Sequence, residues 1–323
     1  MDCAKAFEII YAFAACGGRD AKLFGDSMPY AREAFARGLC GDAFPEIWFE
    51  LPLAGEPWFD LHTLVARGDV HRGDTYAGLG SPYTDALAWF ATSGCTRQLA
   101  LSFDSHTGAV TNPAVQLLLA GEDVLAPRAF LRAAGCGDLA QAYSAFVRSM
   151  PEEWYACYSG VFPSRGGADW VRIEAIAGGE AQKAYAMNPE TLRAHLAQVG
   201  MSDVSDELLR KISELARTSF PLEFQFNVAP DGTALPVLGA SVRFQPGDWL
   251  GDARRSTEAV FRKAEDWGLA DNRWQQLAQT AFAKRAALRG DVVHLWCFPA
   301  FLKLRWRDGL PLDAKAYLIA GSS

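Results

Sequence analysis

Several familiar chemistries are missing from this chain. No two of its seven cysteines form a C-x-x-C pair. An odd, scattered set (Cys3, Cys16, Cys40, Cys95, Cys136, Cys157, Cys297) suits neither a disulfide framework nor a zinc site, and points to a reducing compartment. The five histidines (His62, His71, His106, His195, His294) are equally dispersed, which argues against a histidine metal centre. There is no P-loop, Rossmann glycine fingerprint, G-x-S-x-G elbow or H-E-x-x-H, and no D-D-x-x-D run of the kind that gathers magnesium. An excess of positive charge is also lacking. The net charge of -7 argues against a nucleic-acid partner. No apolar run reaches membrane-spanning length, and no basic segment precedes an apolar one at the start. A cytoplasmic protein with no membrane partner is expected.

What is present is an ordinary globular composition: 323 residues, 50% hydrophobic and 21% charged, enough for one large core. No linker, low-complexity tract or charge block divides the chain, so a single domain over 1–323 is predicted. The most informative stretch is Phe301 to Ala320. Phe301, Lys303, Arg305 and Arg307 alternate with Leu302, Leu304 and Trp306; beyond Asp308-Gly309, Asp313, Lys315 and Tyr317 alternate with Ala314, Ala316 and Leu318. Successive side chains of a strand point to opposite faces, and Asp-Gly is favoured hairpin-turn chemistry. The stretch reads as a hairpin with one oily and one cationic face. Such a cationic face needs water or an anionic ligand.

The same unit, helical pattern followed by a hairpin with one polar face, recurs about five times. Helical stretches over Asp2–Ala15 and Ser27–Arg37 precede a hairpin whose polar face shows Trp48, Glu50, Trp58, Asp60 and His62. A helix from Ser81-Pro82 to Thr92 precedes one with Ser102 and Asp104 on that face. The third unit has helical pattern over Pro127–Met150, then a hairpin that places Trp170, Arg172 and Glu174 together. The fourth has helices from Asn188 to Gly200 and from Ser205 to Arg217. In its hairpin Glu223, Gln225 and Asn227 alternate with Leu222, Phe224, Phe226 and Val228, and Ser241 and Arg243 share the polar face of the return strand. Helices over Thr257–Trp267 and Asn272–Leu288 precede the last hairpin. The oily faces need a cover, which helices supply, and the polar faces need a wet space. Closing the sheet removes its edges, and about ten strands leave a solvated lumen rather than a filled one. The predicted fold is α+β: a ten-stranded antiparallel barrel with a polar lumen inside a ring of helices. An open sheet with one solvated face is the alternative, against which stand the tryptophans on the polar faces.

Repeated helix–hairpin–helix units around such a barrel resemble the ABBA (PT-barrel) aromatic prenyltransferases, nearest to the indole and tryptophan dimethylallyltransferases and their bacterial relatives. In that family strands end in a Lys-x-Tyr pattern, which Lys315-Ala-Tyr317 matches, and Leu99 to Asp104 looks like its acidic-ended strand. The same spacing gives Val115 and Leu117 in the second unit, Arg172 and Glu174 in the third, and Ser241 and Arg243 in the fourth, so part of the family's diphosphate site is rebuilt or lost.

The resemblance implies transfer of an isoprenyl group from an allylic diphosphate, dimethylallyl or geranyl, to an aromatic small molecule or a peptide side chain. A diphosphate carries about three negative charges and leaves more easily beside fixed cations. Arg172, Arg243, Lys303, Arg305 and Lys315 are the candidates for binding it; pairing with Glu174, Glu223, Asp104 and Asp313 across strands is the alternative. Tyr317, Trp48, Trp58 and Trp170 are candidates for shielding the allyl cation and stacking on the acceptor. Glu50, on the strand where the resembling family holds the acceptor's N–H or O–H, is the candidate base, with His62 and Asp60 on the paired strand as alternatives. No cofactor or protein metal site is required by these residues; magnesium accompanying the diphosphate stays open. A barrel that has kept its lumen and lost catalysis, binding an aromatic or anionic ligand, is the second reading.

Overall fold

The structure, a computed structural model, describes residues 3–36, 44, 46–65, 67, 70, 83–94, 98–105, 113–118, 125–162, 169–288 and 290–322. Its strands are β1 (Ile47–Pro52), β2 (Asp60–Val65), β3 (Gln98–Phe103), β4 (Ala114–Leu118), β5 (Trp154–Val161), β6 (Val171–Ala177), β7 (Leu222–Val228), β8 (Ala234–Arg243), β9 (Phe282–Leu288), β10 (Asp291–Arg307) and β11 (Leu310–Ser322). Neighbours from β1 through β8 pair antiparallel in chain order, β8 pairs with β10, and β11 pairs with both β10 and β1. Ten strands thereby close into a barrel, as expected.

The period-two pattern sorts side chains between two compartments. Outward, Phe49, Leu61, Leu101, Val115, Ile173, Phe224, Phe226, Leu302 and Leu318 are buried. Amphipathic helices cover them: Phe7 of the helix Cys3–Ala15 lies 5.8 Å from Phe49, and Phe146 of Gly137–Ser149 lies 5.1 Å from Phe226. Caps fix where helices start. Asn188 accepts from the Glu190 N–H with Pro189 at the first position, and Ser205 accepts from the Leu208 N–H. The β10–β11 turn has positive φ at both Asp308 (51°) and Gly309 (76°), the geometry of a two-residue hairpin turn.

Several expectations need correction. The chain from Asn272 to Leu288 is not one helix: Asn272–Thr280 is a 3-10 segment and Phe282–Leu288 is an eleventh strand, β9. Alanine-rich A-F-A-K-R-A-A-L has helical propensity, but strand pairing overrides it. β10 is 17 residues long: its first half pairs with β9 and its second half with β8, so β9 extends the sheet beyond the barrel rim. Helix Gly179–Met187 was not among the expected elements. The expected Ser81-Pro82 helix start and the end of the second helix at Arg37 lie outside the described residues.

Candidate active site

Inside the barrel is a cavity of about 660 Å³. Seven of the expected site residues line it: Trp48, Glu50, His62, Arg172, Arg243, Lys303 and Tyr317. Strand register explains this gathering. Glu50 lies opposite Tyr317, Tyr317 opposite Phe301, and Phe301 opposite Arg243, so one lumen layer crosses β1, β11, β10 and β8.

The acid and its partners sit on one wall. Glu50 is buried, with Oε2 2.9 Å from His62 Nε2, and Oε1 accepting from Lys315 Nζ. Tyr317 also hydrogen-bonds Glu50, and its hydroxyl is held well above its ordinary pKa by burial and by the nearby carboxylate charge. The other His62 nitrogen, Nδ1, is 2.6 Å from Ser102 Oγ, which accepts from Gln116 Nε2 at 2.5 Å. Asp60, the other alternative acid, is buried and instead accepts from the backbone N–H of Ser105.

The cations sit on another wall, each against an aromatic face. The Arg172 guanidinium is 4.2 Å from the Phe162 ring centroid, that of Arg243 is 5.0 Å from Phe301, and Lys303 Nζ is 5.0 Å from Tyr317. Such contacts fix the direction of a long charged side chain. Trp48 stacks on Phe301 at 5.4 Å with Tyr317 edge-on to both, giving a three-ring patch between the cations and Glu50.

Two carboxylates share the cationic wall. Lys303 Nζ is 3.4 Å from Glu174, and Arg243 Nη2 is 2.8 Å from Glu223 Oε1. Glu223 Oε1, Arg243 Nε and the nearby Ser241 Oγ are buried without an aligned hydrogen-bond partner. The Glu223 carboxyl is pushed up to about 7, first by burial and then by Glu174, against the pull of Arg243 and Lys303. Burial and the same two carboxylates raise the Cys157 thiol. Cys157, Glu174 and Glu223 bring ligand atoms within 4.8 Å of one another. Arg243 and Lys303 already face those carboxylates and the third member is a thiol, so the group does not suit a resident magnesium ion.

The structure separates the remaining expected residues from the cavity wall. Lys315 is buried on Glu50 and 4.8 Å over the Trp58 ring, and Arg305 is bound to Asp313 through two nitrogens. Both cations therefore carry local carboxylates, and the Arg305–Asp313 pair lies toward the β10–β11 turn. Trp170 stacks on Phe162 beside Arg172 rather than lining the cavity. The phase expected for the second unit is corrected: Val115 and Leu117 are buried with the outward core, while Gln116 and Leu118 face the lumen. Sequence reasoning gave no role to Phe301, Gln116, Tyr155 or Cys157, which also line the cavity. A bulge between Ala156 and Tyr158 breaks the alternation in β5, and no local signal announces it.

No protein-family model matches the chain, and no curated protein matches it in sequence. Solved structures do match in fold. The prenyltransferase PriB in its apo form aligns with a TM-score of 0.60 at 15% identity, over 99% of this chain and 96% of that one. The 5-dimethylallyltryptophan synthase from Streptomyces coelicolor aligns at 0.53 and 13% identity, over 99% and 96%. The 6-dimethylallyltryptophan synthase from Micromonospora olivasterospora, solved with DMASPP and Trp, aligns at 0.51 and 16% identity, over 100% and 97%. The fold is thus the PT barrel of the ABBA prenyltransferases. Among the described residues, no helix is long and apolar enough to cross a membrane.

Proposed function

We propose that this chain transfers an isoprenyl group from dimethylallyl or geranyl diphosphate to an aromatic acceptor, an indole or phenol or the side chain of a peptide. The observation that carries the reading is one lumen holding Arg172, Arg243 and Lys303 on one wall, Glu50 on another and the rings of Trp48, Phe301 and Tyr317 between them. A cavity of about 660 Å³ falls within the common range for small-molecule sites, about 300–1,000 Å³.

In the proposed reaction the C1–O bond of the donor breaks and the diphosphate departs with the electron pair, beside the three cations. The aromatic faces stabilise the allyl cation, and the barrel wall limits water around it. A ring π pair, or the lone pair of a hydroxyl, forms the new bond to C1. The proton displaced from the acceptor passes to Glu50. Arg305 and Lys315 hold Asp313 and Glu50 in place, and no step is routed through magnesium.

Incubation with each donor and a panel of indoles, phenols and aromatic peptides tests this by release of diphosphate and prenylated product. Failure with every acceptor, together with no heat of donor binding in calorimetry, would sink it. A second reading, a binding barrel without turnover, is favoured by one feature: Arg243 and Lys303 each face a carboxylate where a diphosphate would need them. Donor binding without product is its signature.

A further inference from the structure

The hydrogen bonds around Glu50 run in a single direction. Lys315 has only donors, so Glu50 Oε1 accepts from it. A carboxylate oxygen only accepts, and the atom 2.9 Å from Oε2 is His62 Nε2, which therefore carries a hydrogen; the Tyr317 hydroxyl donates to the same carboxylate. In a neutral imidazole Nδ1 is then an acceptor, and the group 2.6 Å from it is the Ser102 hydroxyl, which donates. With its hydrogen used, Ser102 Oγ can only accept, and it faces the amide nitrogen of Gln116 at 2.5 Å. Read from Gln116, the hydroxyl that accepts the amide N–H keeps its own hydrogen for Nδ1, which agrees with this assignment. All members are buried: Glu50 4%, His62 9%, Ser102 0% and Gln116 6% exposed. They lie on β11, β1, β2, β3 and β4, five consecutive strands of the barrel wall.

We infer that Ser102 and Gln116 are positioning residues, which lock His62 in the tautomer protonated at Nε2 and so hold the Glu50 carboxylate ready for the acceptor's proton. This rests on the reading of Glu50 as base, but its physical core does not need turnover to be tested. Gln116 lines the cavity and Ser102 does not, and each reaches Glu50 through His62. Ser102 has no other hydrogen-bonding role among the described residues.

The experiment is nitrogen NMR on the full chain labelled with 15N-histidine, with His62 identified by the signal lost in His62→Gln. The wild type should show a protonated Nε2 and a bare Nδ1. Ser102→Ala should release the ring to both tautomers, with averaged shifts, and lower kcat about tenfold, the size of one buried hydrogen bond, with donor KM unchanged. Ser102→Thr, which keeps the hydroxyl, should restore both readouts. Gln116→Met, which removes only the outer donor, should give a smaller change of the same kind. A wild-type His62 protonated at Nδ1, or ring shifts unmoved in Ser102→Ala, overturns the inference. The locked tautomer in a protein that turns over no acceptor upholds the geometry and counts instead against the proposed reaction.

Discussion

Glu223 offers the sharpest test of how this lumen is charged. Its carboxyl is 2% exposed and lies near Glu174, Arg243 and Lys303, with Cys157 and Ser241 completing its surroundings. Burial and Glu174 raise it to about 7, from 4.5. Holding it ionised in the folded chain therefore costs about 3 kcal/mol more than in the unfolded one. The sign follows from where the proton sits. Below pH about 4.5 the group is protonated in both states and contributes nothing. Between about 4.5 and 7 the unfolded chain loses the proton and the folded chain keeps it, so stability falls as pH rises. Above about 7 the full penalty applies. Glu223→Gln removes the titration while keeping the shape. In urea unfolding at pH 5 and pH 8, the variant should gain up to about 3 kcal/mol relative to wild type on going to pH 8. A difference that does not change with pH would refute the electrostatic picture.

The same pair bears on donor binding. Three cations and two carboxylates on the cavity wall leave little net charge for a diphosphate of about three negative charges. Donor binding should raise Glu223 further, and the complex should take up a proton at pH 8. In titration calorimetry the apparent binding heat should then depend on the buffer's own ionisation heat, and that dependence should shrink in Glu223→Gln. Equal buffer dependence in both proteins would place the compensating proton elsewhere.

Other outcomes follow from individual contacts. Lys303→Ala should weaken donor binding at least tenfold and leave acceptor affinity unchanged in calorimetry; equal loss of both would contradict its place on the diphosphate wall. Lys315→Ala should act differently, because it strands the buried Glu50: a loss of about 3–5 kcal/mol in denaturant unfolding is expected, and unchanged stability would show that the pair is not needed. Gly25 adopts φ 56°, and an added Cβ would lie 1.8 Å from the Pro57 carbonyl oxygen. Gly25→Ala should therefore cost about 2–4 kcal/mol by the same measurement, and a cost below about 1 kcal/mol would mean that this backbone moves readily.

The barrel was legible where alternation is undisturbed. Leu222, Phe224 and Phe226 set against Glu223, Gln225 and Asn227 define both the wall and the cavity side of β7 without knowledge of its neighbours. The phase was lost where it depends on the neighbouring strand. In β4, Val115 pairs with the outward-facing Leu101, so Gln116, not Val115, faces inward. β9 was hidden for a different reason: its alanines form a strand only because β10 overshoots the rim to meet it.

The division among the cations lay furthest from reach, and it decides the chemistry. Lys303 and Lys315 sit directly opposite each other on β10 and β11, identical by alternation. Like charges in that position repel, and the barrel resolves the conflict by closing. Pairing of β11 with β1 brings Glu50, 265 residues away, onto Lys315, while Glu174 on β6, on the same wall, takes Lys303. One lysine is fixed in the wall behind the candidate base, and the other stays at the cavity. Only Lys303 can exchange its carboxylate for a phosphate without leaving a buried acid unpaired beneath the acceptor. The double variant Glu50→Gln with Lys315→Met should accordingly keep donor affinity near the wild-type value, whereas Lys303→Met alone should not. The reverse order in calorimetry would move the diphosphate to the other wall.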